Sequence, residues 1–451
     1  MQRIIISILL WGFVSLGINA QEAADFNTIN RETYRLYLTE KWDSVIIIGK
    51  QALKQEMDFY YLRMRMGIAY YSEKKYRTAA RHFSTALEQN QGDPAALEYL
   101  YFSRLLSGQS EQANWTREQF KGELARKLPP LAPRFFDKLS VEYLNNKGVD
   151  DDMFEPPEEV YPLGTSGTQS TTRHFSNATF AFTNRLAPGV RLSHAFTYLS
   201  KSNHYFSNDG VTAIYMPEQQ VMQYQYYISP EFTTPSGTVF KPMFHVIGTS
   251  SKVPYDIGQR FQGGPNMIAL GDLNQTDFVT GLGFSKGMGK VDLHLGAYYS
   301  NLNQAQQIQN RLGIIWFPLG NLNLYAGGHM NSQYEFYPGR ESVIRIIPEL
   351  MFGFAIAEKL WVDINGSMGE IHNYHENNGM ILYNSYLEVI EKKIKLSLSI
   401  PVTERGSMVY LGGMWTSKRS DFYPSDPYMT EEFNSIYYNA LSIYGGLIWR
   451  F

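Results

Sequence analysis

The chain has 451 residues, more than one ordinary domain needs, so two domains are the first expectation. A net charge of -3 gives no long-range pull toward nucleic acid. The absence of cysteine excludes disulfides, thiolate metal sites, cysteine nucleophiles and lipid anchoring through an N-terminal cysteine.

Thirty-two Tyr, 27 Phe and 37 Gly combine with a mean hydropathy of -0.30. That mixture suits strands with one apolar face better than helices that cross a membrane. The opening "MQRIIISILLWGFVSLGINAQ" has a basic Arg3, a short apolar core over 4–17 and small residues before Gln21. It reads as a signal peptide over 1–20. A lone membrane anchor would need a run of about 20 apolar residues.

Residues 21–127 carry a helical apolar period that repeats at an offset of 34 residues. Tyr37 maps to Tyr71, Trp42 to Tyr76, Ala52 to Ala86 and Leu53 to Leu87. In the middle copy Gly67, Tyr70, Ala79, Phe83 and Ala86 occupy the small and aromatic positions of a tetratricopeptide repeat, which this copy resembles. The first copy departs from it, with Thr33 at the glycine and Gly49 at a large position. Pro94 comes late, and the third copy keeps little beyond Ala113, as a degenerate cap would. The resemblance implies a helical solenoid whose concave groove binds a partner. The repeat would place Tyr34, Tyr37, Tyr61, Met64, Tyr71, Glu98 and Phe102 in that groove. The alternative is a packing module that braces the next domain. "KLPPLAPRFF" then breaks the period, and a proline-rich linker over 128–135 follows.

From 136 to 451 the period is two. In "KKIKLSLSIPV", Ile394, Leu396, Leu398 and Ile400 share one face, and Lys395, Ser397 and Ser399 the other. "KVDLHLGAYYS" and "LWVDINGSM" alternate likewise. Short turns ("LAPG", "TPSG", "GMGK", "PLGN", "AEK", "TERG") alternate with long polar loops such as 254–274 and 417–434. That asymmetry belongs to an outer-membrane barrel, with turns in the periplasm and loops outside. Strands are expected near 136–146, 170–184, 189–201, 218–232, 238–250, 274–286, 290–301, 305–317, 321–333, 342–356, 360–372, 392–402, 406–418 and 436–451. The count is about 14, even, as a single-chain bacterial barrel requires. The fold class is therefore α + β in two domains: a helical solenoid, then a transmembrane antiparallel barrel. Trp449 and Phe451 end an alternating strand that resembles the C-terminal insertion signal of outer-membrane barrels. That resemblance implies the barrel assembly machinery as a partner, with outer-membrane lipid around the wall.

The polar faces would look into the lumen, with Arg173, Arg191, Lys241, His245, Asp292, His294, Arg345, Glu349, Asp363 and Lys395. These charges either line a path or cross-link a closed barrel. "GEIHNYHENN" sets His372 and His375 near Glu370 and Glu376, and reads as a polar exterior loop in which a metal site is conceivable. "VDDDMFEPPEE" gathers six acids, a solvated loop or an oxygen-ligand cage for calcium. No metal is assigned to either. No hydrolase, P-loop or dinucleotide signature occurs, so no enzyme activity and no cofactor are expected. A spatial Ser/His/acid set at the barrel rim stays open as a minor alternative.

Repeats of this kind before a C-terminal barrel resemble the surface lipoprotein assembly modulators. They are also similar to exopolysaccharide export porins and to YaiO-like outer-membrane proteins. The 34-residue motif and the terminal strand carry the likeness. It implies a barrel in the outer membrane of a Gram-negative bacterium that assists translocation or surface assembly of a client held by periplasmic repeats. A non-conducting scaffold whose repeats dock another envelope protein, and a polysaccharide export porin, are the alternatives.

Overall fold

A computed structural model describes residues 25–148, 166–209, 213–259, 266–336, 342–357, 359–385, 387–403, 406–424 and 435–451. The segment read as a signal peptide and the acidic stretch at 149–159 lie outside them.

Among the described residues seven helices come first: α1 (Phe26–Leu38), α2 (Trp42–Lys54), α3 (Tyr60–Ser72), α4 (Tyr76–Gln89), α5 (Pro94–Leu106), α6 (Ser110–Arg117) and α7 (Gly122–Lys127). From α1 to α6 each packs on the next, and α1 also packs on α3. Short loops and amphipathic faces produce this stack. Gly67 lets the Phe83 ring press onto α3, because a Cβ there would lie 2.6 Å from that ring. Leu62, Met66, Ala69, Ala79, Phe83 and Ala86 form the core beside it. Asp93 caps α5 by accepting the Ala96 amide at 2.7 Å, and Pro94 supplies the preset φ of a first helical residue.

The strands are β1 (Arg134–Gly148), β2 (Ser166–Ala187), β3 (Val190–Asp209), β4 (Ala213–Thr233), β5 (Thr238–Gln259), β6 (Asn266–Met288), β7 (Val291–Ser300), β8 (Gln306–Trp316) and β9 (Leu324–Phe336). After them come β10 (Val343–Ile356), β11 (Leu360–Ile371), β12 (Tyr374–Glu376), β13 (Ile381–Tyr383), β14 (Glu388–Pro401), β15 (Met408–Ser420), β16 (Tyr423–Pro424) and β17 (Ile436–Arg450). Fourteen of these close into one antiparallel barrel. β1 closes the ring, pairing with β2 on one side and with β17 on the other, from Lys138↔Arg450 to Gly148↔Ala440. No edge is left in the wall, as a span of hydrocarbon requires. β16 adds two residues to the margin of β2, and β12 and β13 form a separate hairpin.

The alternation expected from the sequence sorts the side chains. Outside stand Phe180, Phe196, Leu312, Ile344, Ile346, Leu350, Ile394, Leu396, Leu411, Leu441 and Ile443, all exposed. Trp449 and Phe451 share that outer face. Inside, Gln223, Gln225, His245, Gln307, Gln309, Asn331, Gln333, Glu335 and Ser442 are buried. A soluble protein shows the reverse, and an apolar belt of this extent needs lipid around it. The expected loop at 254–274 is largely strand. β5 runs to Gln259 and β6 starts at Asn266, because their residues go on pairing from Lys252↔Asp272 to Gln259↔Asn266.

Candidate functional site

Three arrangements stand where function is expected: the helical face, the seam between helices and barrel, and the lumen.

Arg65 of α3 stacks over Tyr34 at 5.1 Å and over Tyr61 at 5.8 Å. Its guanidinium donates to the Asn30 carbonyl at 2.9 Å and to Thr33 Oγ1 at 2.9 Å. Tyr71 meets Tyr99 edge-on at 5.3 Å. Tyr34 and Tyr61 are exposed, Tyr37 packs half-buried against Trp42, and Glu98 is exposed. Of the residues expected in a groove, Tyr34 and Tyr61 are thus brought together by Arg65. Met64 is buried in the helical core, and Phe102 packs against the separate cluster around Tyr101 and Phe120.

The helices dock on the barrel end that carries the short turns. Arg77 of α4 pairs with Asp292 of β7 through two hydrogen bonds, 2.6 and 3.0 Å. Its guanidinium lies 3.6 Å over the Phe317 ring, and its backbone amide donates to the Gly320 carbonyl at 2.8 Å. Trp115 of α6 donates from Nε1 to the Thr233 carbonyl at 2.7 Å. It sits on Gly189 (φ +69), where any side chain would strike the indole. Arg191 pairs with Glu111 of α6 at 2.7 Å. Arg191 and Asp292, expected in the lumen, therefore belong to this seam.

The lumen is occupied by the connection between β11 and β14. This corrects the expectation of an exterior loop around His372 and His375. The segment folds inward as the β12–β13 hairpin, and His372, Asn373, Tyr374 and His375 are buried. Asn377, Asn378 and Gly379 turn its tip with positive φ, which Asn and Gly tolerate. The polar lumen wall supplies its partners. Gln333 Nε2 donates to the His372 and Asn373 carbonyls at 3.1 and 3.0 Å. Gln309 Nε2 donates to the His375 carbonyl at 2.9 Å, and Asn373 Nδ2 donates to Glu335 at 3.1 Å. At the tip, Tyr227 and Tyr298 donate to Asn378 at 3.2 and 3.0 Å, and His245 Nδ1 lies 2.8 Å from the Gly379 carbonyl. Lys393 pairs with Glu376. Met380 and Leu382 complete an apolar cluster with Ala195, Met243, Ile247 and Val279.

Where the hairpin rejoins the wall, Glu388 is fully buried and accepts from both the amide and the hydroxyl of Thr172. It also accepts from Tyr438, from Ser385 at 2.8 Å and from Lys201 at 2.7 Å. A buried carboxylate is tolerated only with such a set of donors. This hub ties the hairpin stem to β2, β3 and β17 at once.

The remaining predicted charges cross-link the wall. Arg311 bonds Glu349 at 2.6 Å with His329 3.2 Å away, and the His294 ring meets His329 at 5.5 Å. Arg345 pairs with Glu335 and Glu370 at 3.2 and 3.3 Å, and Tyr325 donates to Asp363. Lys395 lies 4.2 Å over the Tyr444 ring. Arg173 differs, since it pairs with Glu218 at 2.6 Å at a bulge where both side chains are exposed. Among the described residues, no three His, Asp or Glu gather as a metal site would require.

A cavity of about 530 Å³ runs beside the hairpin, between it and the wall of β1–β4, β14, β15 and β17. The sequence reading missed Gln309, Gln333, Glu335, Lys201 and Glu388. The alternation "QQIQNRL" and "NSQYEF" held part of the signal, because Gln and Glu recur there at every second residue.

No known protein family matches this chain, and no curated protein does. Solved structures similar to it are outer-membrane barrels. A deletion mutant of the monoaromatic hydrocarbon channel TodX is 10% identical, covers 70% of this chain and 90% of its own, and has a TM-score of 0.44. The Pseudomonas putida toluene transporter TodX is 9% identical, with coverages of 73% and 93% and a TM-score of 0.41. A Pseudomonas aeruginosa FadL homologue is 9% identical, with coverages of 70% and 90% and a TM-score of 0.38.

Proposed function

We propose that this chain is a gated barrel of a Gram-negative outer membrane that assists translocation or surface assembly of a periplasmic client. In this reading the helices lie in the periplasm and act as tetratricopeptide-type repeats, with the client met first by the Tyr34–Arg65–Tyr61 surface. The barrel assembly machinery inserts the wall through the strand ending at Trp449 and Phe451. No catalytic step is assigned to the protein.

The observation that carries the proposal is the hairpin. The lumen holds one discrete segment on two stems, tied to the wall by hydrogen bonds and a small apolar cluster. A segment of that kind can leave as a unit, as lids and plugs do. A second reading, a closed scaffold barrel, draws support from the wall-to-wall pairs Arg311–Glu349 and Arg345–Glu335. A scaffold needs no movable part.

The test is photo-crosslinking in cells from Tyr34, Tyr61 and Tyr71, with adducts identified by mass spectrometry. It is run in wild type and in a form whose hairpin is tied to the wall by an engineered disulfide. Many transient secreted or lipoprotein adducts, accumulating when the hairpin is tied, support the gated translocator. One constant envelope protein in fixed ratio, indifferent to the tie, supports the scaffold instead.

A further inference from the structure

We infer that the cavity beside the hairpin is a binding site for a single-chain organic anion, an alkyl tail with a carboxylate or sulfate head. The inference is independent of which client the helices receive.

The charge on the lining has one sign in excess. Lys138, Lys201, Lys241, Lys395 and Lys418 face it, against Glu142, Glu376 and Glu388. The glutamates are already engaged: Glu388 with Lys201 and Lys418, Glu376 with Lys393, and Glu142 as acceptor of the Tyr410 hydroxyl at 2.7 Å. Lys138 makes no ion pair among the described residues, and its charged neighbours are the cations Arg191, Arg450 and Lys241 and the carboxylate of Glu231. Lys241 has only a distant one, Glu231 at 3.8 Å, which it shares with Arg191. This group sits at the turn end of the wall, where Lys138 pairs in register with Thr183 and Arg450. The half-buried cations Lys138, Lys241 and Arg191 outnumber the carboxylates of Glu231 and Glu111 beside them, and that excess favours an anion.

Farther along the same cavity apolar side chains join the polar Asn177, Gln223 and Lys201. Leu144 stands six residues beyond Lys138 on β1, roughly 20 Å along the strand at ~3.3 Å per residue. It pairs in register with Asn177. Leu199, Val221, Met380 and Leu382 complete that stretch, the last two from the hairpin itself. A compact anion such as phosphate would leave this part unfilled. A volume of about 530 Å³ lies in the range of sites for small organic ligands. Because Met380 and Leu382 belong to the hairpin segment, an occupant touches the hairpin and the wall together.

The experiment uses the full chain in lipid nanodiscs, so that no detergent competes. Dodecanoate, dodecanol and dodecyltrimethylammonium are titrated below their aggregation limits, with binding read by calorimetry. The expected result is one saturable dodecanoate site, at least tenfold weaker for dodecanol and absent for the cation. The double variant Lys138→Met/Lys241→Met should weaken dodecanoate at least tenfold, and Leu199→Trp should weaken it by filling the tail space. Retained resistance of the barrel to unfolding in dodecyl sulfate shows that each variant is folded. Equal uptake of all three probes, or dodecanoate binding unchanged in both variants, means partition into the bilayer and overturns the site.

Discussion

Arg77 joins helices and barrel through a side chain that is 3% exposed, with both Asp292 oxygens and the Phe317 face as partners. Removing one member of a buried pair leaves the other unpaired, a loss of about 3–5 kcal/mol. Arg77→Met should therefore loosen the seam, seen as faster amide exchange in α4 and in the turns at 289–290 and 317–323. Asp292→Asn should do the same, and the double variant should be no worse than either single one. His82 gives a second residue-scale expectation. It is buried, stacks on Tyr70 and has Arg63 3.3 Å from Nδ1. Burial first, and then the Arg63 charge, push its pKa down from 6.5 to about 3. The unfolded chain thus binds a proton that the folded helices refuse. His82 contributes fully above pH 6.5 and progressively costs stability as pH falls toward 3, at up to about 1.4 kcal/mol per pH unit. His82→Phe should flatten the wild-type excess of that slope in denaturant melts followed by helical circular dichroism.

At the scale of elements, the hairpin makes the sharpest claim. Replacing residues 373–385 by a short glycine linker should raise single-channel conductance in planar bilayers severalfold over wild type. If conductance stays at the wild-type level, the hairpin is not what obstructs the lumen. Its inward fold also marks the limit of what the sequence discloses. The wall was legible, because apolar residues at every second position have only one face to occupy; Ile394, Leu396 and Leu398 all point outward as expected. The turns were legible from their Gly and Pro. The hairpin was not, because a polar segment such as "HNYHENNGM" suits bulk water and a polar lumen equally well. Only the matching Gln309, Gln333 and Glu335 on β8 and β9 decide, and their pairing with it is spatial. The two Asn before Gly379 are a tight-turn signal that would have marked a hairpin but not its location.

For the whole molecule, the short turns and the seam share one rim and the β7–β8 connection stands at the other, so the helical domain and that connection should lie on opposite sides of the membrane. The proline-rich linker expected over 128–135 is a short passage between Lys127 and Arg134, and the helices fold back onto the turns. With no cysteine in the chain, single cysteines report orientation without background. Gln304 is exposed in the β7–β8 connection at the far rim, and Gln89 is exposed at the end of α4. In intact cells, a membrane-impermeant maleimide should label Gln304→Cys and leave Gln89→Cys untouched until the outer membrane is permeabilised. The reverse pattern would place the helices outside the cell. A periplasmic client would then have no access to the Tyr34–Tyr61 surface, while the hairpin and its cavity would keep their chemistry and lose only their direction.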